Sequence, residues 1–171
     1  MTSGKSTLGK ILANVLGWDF VDLDKEIESR EGMSVHEIFE NKGEKYFRET
    51  EQKLLREISE RENFVISLGG GTLNSNETAD FLNENGVTVY LKVSPENLYQ
   101  RLKNKINRPL FRDLVLSDNP DKEEFMRRIN TLLSKREKFY NQAQIVINTD
   151  TQRIGKTVDM LAAKLRRFID A

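Results

Sequence analysis

Short runs of β-branched and aromatic residues alternate along this chain with amphipathic stretches of helical period, and that alternation narrows the fold more than any other feature. The apolar runs cover residues 19–21, 64–68, 87–93 and 144–149, each bounded by Gly, Asn or charged residues, and they predict strands. Between them, apolar spacings of three and four predict helices over 5–16 (Leu8, Ile11, Leu12, Val15), 35–41, 44–60 (Phe47, Leu54, Leu55, Ile58) and 95–103, then over 122 to about 141 and 153–168. Strands separated by helices of this length call for right-handed crossovers and a parallel sheet with both faces covered. The expected class is α/β, a three-layer sandwich around a central parallel sheet. Gly17 and Gly86 stand where a C-cap glycine is expected, and Ser94-Pro95 offers an N-cap followed by a first-turn proline. Residues 106–121 hold two of the three prolines, mixed charge and little periodicity, which predicts a long loop of the kind that serves as a lid.

A chain of 171 residues with 37% hydrophobic content supports one core, so residues 1–171 are expected to form a single domain. Lys+Arg and Asp+Glu both number 27, and this balance gives no basic excess for nucleic acid. The absence of cysteine excludes a disulfide framework, a thiolate nucleophile and a zinc–thiolate site, and it points to a reducing compartment, the cytoplasm. No apolar run approaches the roughly 18 to 20 residues of a membrane span, and the N-terminus lacks signal-peptide order. A soluble protein is expected.

Ser3-Gly4-Lys5-Ser6-Thr7 runs directly into the first amphipathic helix. Small residues let backbone N–H groups close on a polyphosphate, the helix N-terminus favours its charge, the lysine reaches its outer oxygens, and Ser6 is placed to hold Mg²⁺. Gly-Lys-Ser alone fits a capped helix start equally well. The full pattern G-x-x-x-x-G-K-[ST] would put its first glycine two residues before Met1, with the strand feeding the loop further upstream. The expectation is therefore an internal start and a native mass above 19.8 kDa. A doubly wound sheet lacking that strand would carry two unpaired inner edges.

Asp22-Leu23-Asp24 closes the first predicted strand, where strand ends face the ligand crevice of an open α/β sheet. Its carboxylates suit Mg²⁺ or substrate hydroxyls; alternatively, Asp24 simply N-caps a helix over 25–30. Arg48 and Glu51 lie three apart on one helical face, either an anion-binding arginine held by its own carboxylate or an ordinary surface ion pair. Gly69-Gly70-Gly71 ends a buried strand, which is entropically costly and suggests either close approach of a ligand or a tight turn. Arg108 falls in the predicted lid, and Arg136 precedes Tyr140 by one helical turn. Guanidinium groups near a phosphate loop suit transition-state charge and carboxylate binding. His36, beside Val35 and Ile38, is expected to be partly buried structure, and Trp18 to be packing.

Taken in order, Gly-Lys-Ser-Thr, Asp-x-Asp, Phe47-Arg48-x-x-Glu51, Gly-Gly-Gly, Arg108-Pro109-Leu110 and Arg136-x-x-x-Tyr140 resemble the shikimate kinase family over essentially the whole chain. The resemblance implies a P-loop, nucleoside monophosphate kinase-like architecture. It also implies transfer of the γ-phosphoryl group of ATP, with Mg²⁺, to the 3-hydroxyl of shikimate in chorismate and aromatic amino-acid biosynthesis. It assigns Asp24, Arg48, Gly70, Gly71 and Arg136 to shikimate, whose carboxylate would face Arg48 and Arg136 and whose hydroxyls would face Asp24. Lys5, Asp24 and Arg108 become the catalytic set, and Ser6 with Asp22 the metal pair. Nucleotide contacts fall to Ser3, Gly4, Lys5, Ser6, Thr7, Arg101, Arg108 and Gln152. Residues 24–61 would carry the shikimate-binding helices and 106–121 the lid, in a monomer acting on a small molecule, without nucleic acid or membrane. The chain departs from the family pattern in the loop's first glycine and at Leu23, where a small polar residue is common. The rival readings are a gluconate or nucleoside monophosphate kinase of the same architecture, and a nucleotide- or shikimate-binding module that transfers nothing.

Overall fold

The computed structural model describes residues 4–105, 109–118, 121–150 and 153–169. The chain runs α1 (Lys5–Leu16), β1 (Asp19–Asp22), α2 (Leu23–Glu31), α3 (Val35–Ser59), β2 (Phe64–Ser67), α4 (Asn76–Asn85), β3 (Val89–Lys92), α5 (Pro95–Leu102), α6 (Pro109–Val115), α7 (Lys122–Tyr140), β4 (Ile145–Asn148) and α8 (Ile154–Ile169). All strand pairing is parallel, as the alternation requires. β1 lies beside β2 in the register Asp19 to Phe64 through Asp22 to Ser67, and β3 beside β4 from Val89 with Ile145 to Lys92 with Asn148. Among the described residues these are two hydrogen-bonded pairs, with an apolar cleft between β2 and β3.

Side-chain alternation distributes the strands between two covers. Val65, Val89, Leu91, Ile145 and Ile147 join Leu8 and Leu12 of α1 and Leu161 and Leu165 of α8 in one core cluster. Phe64 and Ile66, the neighbours of Val65, turn to the opposite face and meet Leu23 and Ile27 of α2 and Phe47, Leu54, Leu55 and Ile58 of α3. On β3, Tyr90 likewise reaches the far side, its ring 5.1 Å from that of Tyr140 on α7. Helix, sheet, helix is the three-layer arrangement.

Local chemistry sets the boundaries. Gly17 ends α1 at φ 70°, a left-handed position that favours glycine. Gly86 follows α4 at φ 177°, extended backbone open to any residue, so its position is that of a cap without the conformational need. Ser34 and Glu37 form a reciprocal capping box at the start of α3. Gly43 interrupts that helix with φ 83° and ψ 163°, where the sequence predicts two helices over 35–41 and 44–60. Ser94 caps α5 with Pro95 in its first turn.

Two helices depart from expectation. α4 was not predicted, because its Asn-rich sequence offers only Ala79, Phe81 and Leu82 as an apolar stripe; the Ser75 hydroxyl, accepting from the Thr78 amide at 3.2 Å, defines its start. α6 lies inside the stretch read as a loop. Phe111 and Leu114 are buried, with Phe111 stacked 5.8 Å from Phe125, while Arg128 forks onto Asp113 at 2.8 and 2.7 Å. Burying such side chains contributes about 1.5–3 kcal/mol each and an exposed ion pair about 0–1 kcal/mol, so the apolar contacts decide where α6 sits. His36 is also corrected: its side chain is 50% exposed, 3.4 Å from Glu40, on the solvent side of α3. No described helix is long and apolar enough to cross a membrane.

Candidate active site

The N-terminus of α1 opens at Gly4, whose φ of 86° is a turn that a side chain would strain. Lys5, Ser6 and Thr7 follow in the first turn, with Ser6 and Thr7 exposed. The Ser6 hydroxyl donates to Asp22 Oδ2 and lies 3.4 Å from the Ser67 hydroxyl at the end of β2. Asp22 Oδ1 accepts the Lys25 amide at 3.3 Å, so Asp22 rather than Asp24 caps α2. One carboxylate oxygen thus fixes the helix and the other meets Ser6. A hydroxyl and a carboxylate side by side at a helix N-terminus fit Mg²⁺, a hard cation that takes few protein oxygens and completes its shell with phosphate and water.

Asp24, released from capping, sits in the first turn of α2. Burial pushes its carboxyl above the ordinary range, and the charges of Glu51 and Asp22 add to this while Lys5 opposes it. Glu51 is fully buried, one oxygen accepting from Arg48 at 2.8 Å and the other from the Thr72 hydroxyl at 2.5 Å. Arg48 also reaches Glu44 at 3.4 Å, and its guanidinium carbon lies 5.2 Å from the Phe47 ring centroid and 6.0 Å from that of Phe39. Of the two readings of the Arg48–Glu51 spacing, the held arginine is the one realised.

The glycine run explains itself against these side chains. A Cβ on Gly69 would stand 2.6 Å from Asp24 Oδ1 and 3.1 Å from Glu51, and one on Gly71 would stand 2.5 Å from Arg48 Nη2. The Gly70 carbonyl accepts from both Arg136 Nη1 and the Tyr140 hydroxyl, each at 2.7 Å. One helical turn of α7 therefore grips the glycine run next to the position that Arg48 covers. Beyond it, Asp150 after β4 accepts from the Ser94 amide at 3.0 Å and from Asn97 at 2.9 Å, tying that loop to α5 and its last-turn Arg101. Burial opposes the charge of Asp150, but these donors outweigh it and hold the pKa down.

Gly4, Lys5, Ser6, Thr7, Asp22, Asp24, Arg48, Gly70, Gly71 and Arg136 are thus brought to the ends of β1 and β2 and the facing turns of α1, α2, α3 and α7, while Arg101 stands on α5. Ser3, Arg108 and Gln152 lie outside the described residues. Thr72 and Tyr140 complete the arrangement without having been singled out as ligands. The burial of Glu51 did leave a signal: positions 47, 51, 54, 55 and 58 form one helical stripe, and the other four are apolar.

A lysine and a hydroxyl at a glycine-led helix N-terminus, next to a carboxylate and two held guanidinium groups in a parallel α/β fold, define a small-molecule kinase of the phosphate-loop class. The family model described as Shikimate kinase matches residues 1–166. The chain is 44% identical over 167 residues to the shikimate kinase of Chlorobium phaeovibrioides (strain DSM 265 / 1930), covering 98% of this chain and 84% of that one. It is 44% identical over 173 residues to that of Chloroherpeton thalassium (strain ATCC 35110 / GB-78), covering 99% and 90%. Among solved structures, the shikimate kinase from Bacteroides thetaiotaomicron superposes with a TM-score of 0.82 at 37% identity, over 100% of this chain and 94% of that one. The enzyme from Acinetobacter baumannii in complex with shikimate gives 0.81 at 31% identity, over 98% and 88%. This chain belongs to the shikimate kinase family, an ATP-dependent kinase with the P-loop, nucleoside monophosphate kinase-like α/β fold.

Proposed function

We propose that this chain phosphorylates the 3-hydroxyl of shikimate with ATP, and that the residues gathered around the glycine run are its acceptor site. The observation that carries this reading is Arg48, set against Gly71 and held by the buried Glu51, whose charge also bears on Asp24 beside Gly69. A small polyhydroxy acid needs both a fixed cation for its carboxylate and an acceptor for its hydroxyls. Arg48 and Arg136 take the carboxylate. Asp24 takes the hydroxyls, orients the attacked oxygen and receives its proton late in the transfer. Its raised pKa suits that last step, since a carboxylate that is costly to keep charged accepts a proton more readily.

Lys5 at the head of α1 draws the γ-phosphoryl oxygens into line with that hydroxyl, and Gly4, Ser6 and Thr7 cradle the remaining phosphates. Ser6 and Asp22 would hold Mg²⁺, which would supply charge that neutralises the phosphates during transfer. Arg101 and Gln152 attend the nucleotide base, and Arg108 stabilises the transferring group from a lid over 106–121. Transfer is then a matter of positioning and charge, without a covalent intermediate. We place this chemistry in the cytoplasm, in a single-domain monomer.

The rival kinases of this architecture act on other acceptors. Coupled ADP release measured with shikimate, gluconate and nucleoside monophosphates separates them: shikimate alone should support turnover well above the acceptor-free rate. Equal or greater turnover with another acceptor would remove shikimate as the substrate.

A further inference from the structure

Two arginines meet at the glycine run, and they are held by different kinds of partner. Arg48 is bound by the buried carboxylate of Glu51 at 2.8 Å and by Glu44 at 3.4 Å. Arg136 makes no ion pair among the described residues. The acid beside it in sequence, Glu137, is engaged by Lys92 at 2.8 Å. Arg136 Nη1 instead donates to the Gly70 carbonyl at 2.7 Å, and the same carbonyl accepts the Tyr140 hydroxyl at 2.7 Å. Tyr140 stands one turn after Arg136 on α7, and its oxygen takes a hydrogen bond from that guanidinium as well. We propose that Tyr140 is the positioning residue for Arg136: its neutral hydroxyl fixes the guanidinium beside Gly70 and leaves the positive charge for the carboxylate of the acceptor. This inference rests on the shikimate reading of the site.

A partly buried guanidinium needs partners for its N–H groups, and the choice of partner decides how much charge it offers a ligand. A carboxylate satisfies the donors and cancels most of the charge, as Glu51 does for Arg48. A carbonyl and a phenol hydroxyl satisfy donors and cancel none of it. One carbonyl oxygen has two lone pairs, so Gly70 can accept from Arg136 and Tyr140 together. The guanidinium carries five N–H donors, and these contacts leave part of its fork for a planar carboxylate. Tyr140 remains a neutral hydroxyl because burial pushes its pKa up, outweighing the Arg136 charge and hydrogen bond that lower it. The place of that hydroxyl is set from the sheet, since the Tyr140 ring packs 5.1 Å from the Tyr90 ring on β3. Thus β3 orients Tyr140, Tyr140 orients Arg136, and both are tied to the glycine run.

Tyr140→Phe removes the hydroxyl and keeps the ring against Tyr90, so the Tm should change little. The test measures the Kd for shikimate and for ATP by titration, with and without this substitution, in the parent chain and in an Arg136→Met background. In the parent background Tyr140→Phe should weaken shikimate binding by about 3- to 10-fold, the worth of one positioning hydrogen bond, and leave the Kd for ATP unchanged. In the Arg136→Met background the same substitution should cost less than about twofold, because the group it positions is gone. An equal loss in both backgrounds would mean that the hydroxyl serves the turn at Gly70 and not Arg136, which overturns the proposal. So would an unchanged Kd for shikimate in the Tyr140→Phe chain, or a fall in Tm that weakens ATP and shikimate alike. A parent chain that binds no shikimate would remove the acceptor reading and this inference with it, whereas the other contrary results, obtained with a parent that does bind, remove the inference alone.

Discussion

Glu51 has no solvent exposure and both of its oxygens are engaged, by Arg48 and by Thr72. Glu51→Gln keeps an acceptor for Thr72 and removes the charge that holds Arg48. A hydrogen bond to a charged group is worth about 1.5–3 kcal/mol, so the KM for shikimate should rise by roughly 10- to 100-fold with a smaller change in kcat; steady-state kinetics resolves the two. Asp24 makes a different prediction, because its carboxyl is pushed up by burial and by the neighbouring carboxylates. A folded pKa above the unfolded one gives stability that is present in acid and lost as the pH rises through the folded pKa. Asp24→Asn should therefore have a higher Tm than the parent at pH 7, with the gap narrowing as the pH falls toward 3.8, the carboxyl's ordinary value. The same substitution should lower kcat by about 10²–10⁴. A parent protein as stable as the variant at pH 7 would show that Asp24 carries no burial cost. Arg48, Asp24 and the glycines were legible as residues, since each sits in a short pattern. The capping role of Asp22 was not, because the choice of cap between two acids two positions apart depends on the backbone angle at which β1 enters α2.

Among the elements, the glycine run after β2 is where three helices converge: α2 through Asp24, α3 through Arg48 and Glu51, and α7 through Arg136 and Tyr140. A methyl group on Gly71 would meet the far end of the Arg48 side chain, which can swing away, rather than fixed backbone. Gly71→Ala should therefore change the Tm little while raising the KM for shikimate at least several-fold; thermal melting and kinetics on the same sample check both parts. A large loss of Tm with unchanged KM would mean that the glycine serves the turn and not the arginine. The strands and α1 could be read from the sequence because their period is strong and local. α4 and α6 could not, since short helices with few apolar residues are held by contacts such as Phe111 on Phe125 that pattern does not reveal. The grip of Tyr140 on Gly70 joins residues 70 positions apart, and only the folded chain brings them together.

At the scale of the whole molecule, β1 and β2 with α2 and α3 form one body of contacts around the proposed acceptor residues, and β3 and β4 with α8 form another that Val65 of β2 also joins. α1 touches both: it packs on β1 and β2 as well as on α8, and its N-terminus carries Lys5, Ser6 and Thr7, the proposed phosphate-binding residues. The α/β class and the parallel direction were evident from the alternation of segments. The two unpaired inner edges expected from the sequence are seen as the division into two hydrogen-bonded strand pairs among the described residues. On the proposed function, the acceptor residues around the glycine run and the head of α1 work together to move a phosphoryl group onto shikimate. Phosphorus-31 NMR of a reaction containing the protein, ATP, Mg²⁺ and shikimate tests that most directly. A phosphomonoester resonance of shikimate 3-phosphate should grow in step with the β-phosphate of ADP, and both should require shikimate. ADP and inorganic phosphate appearing without the ester, or no loss of ATP at all, would contradict it.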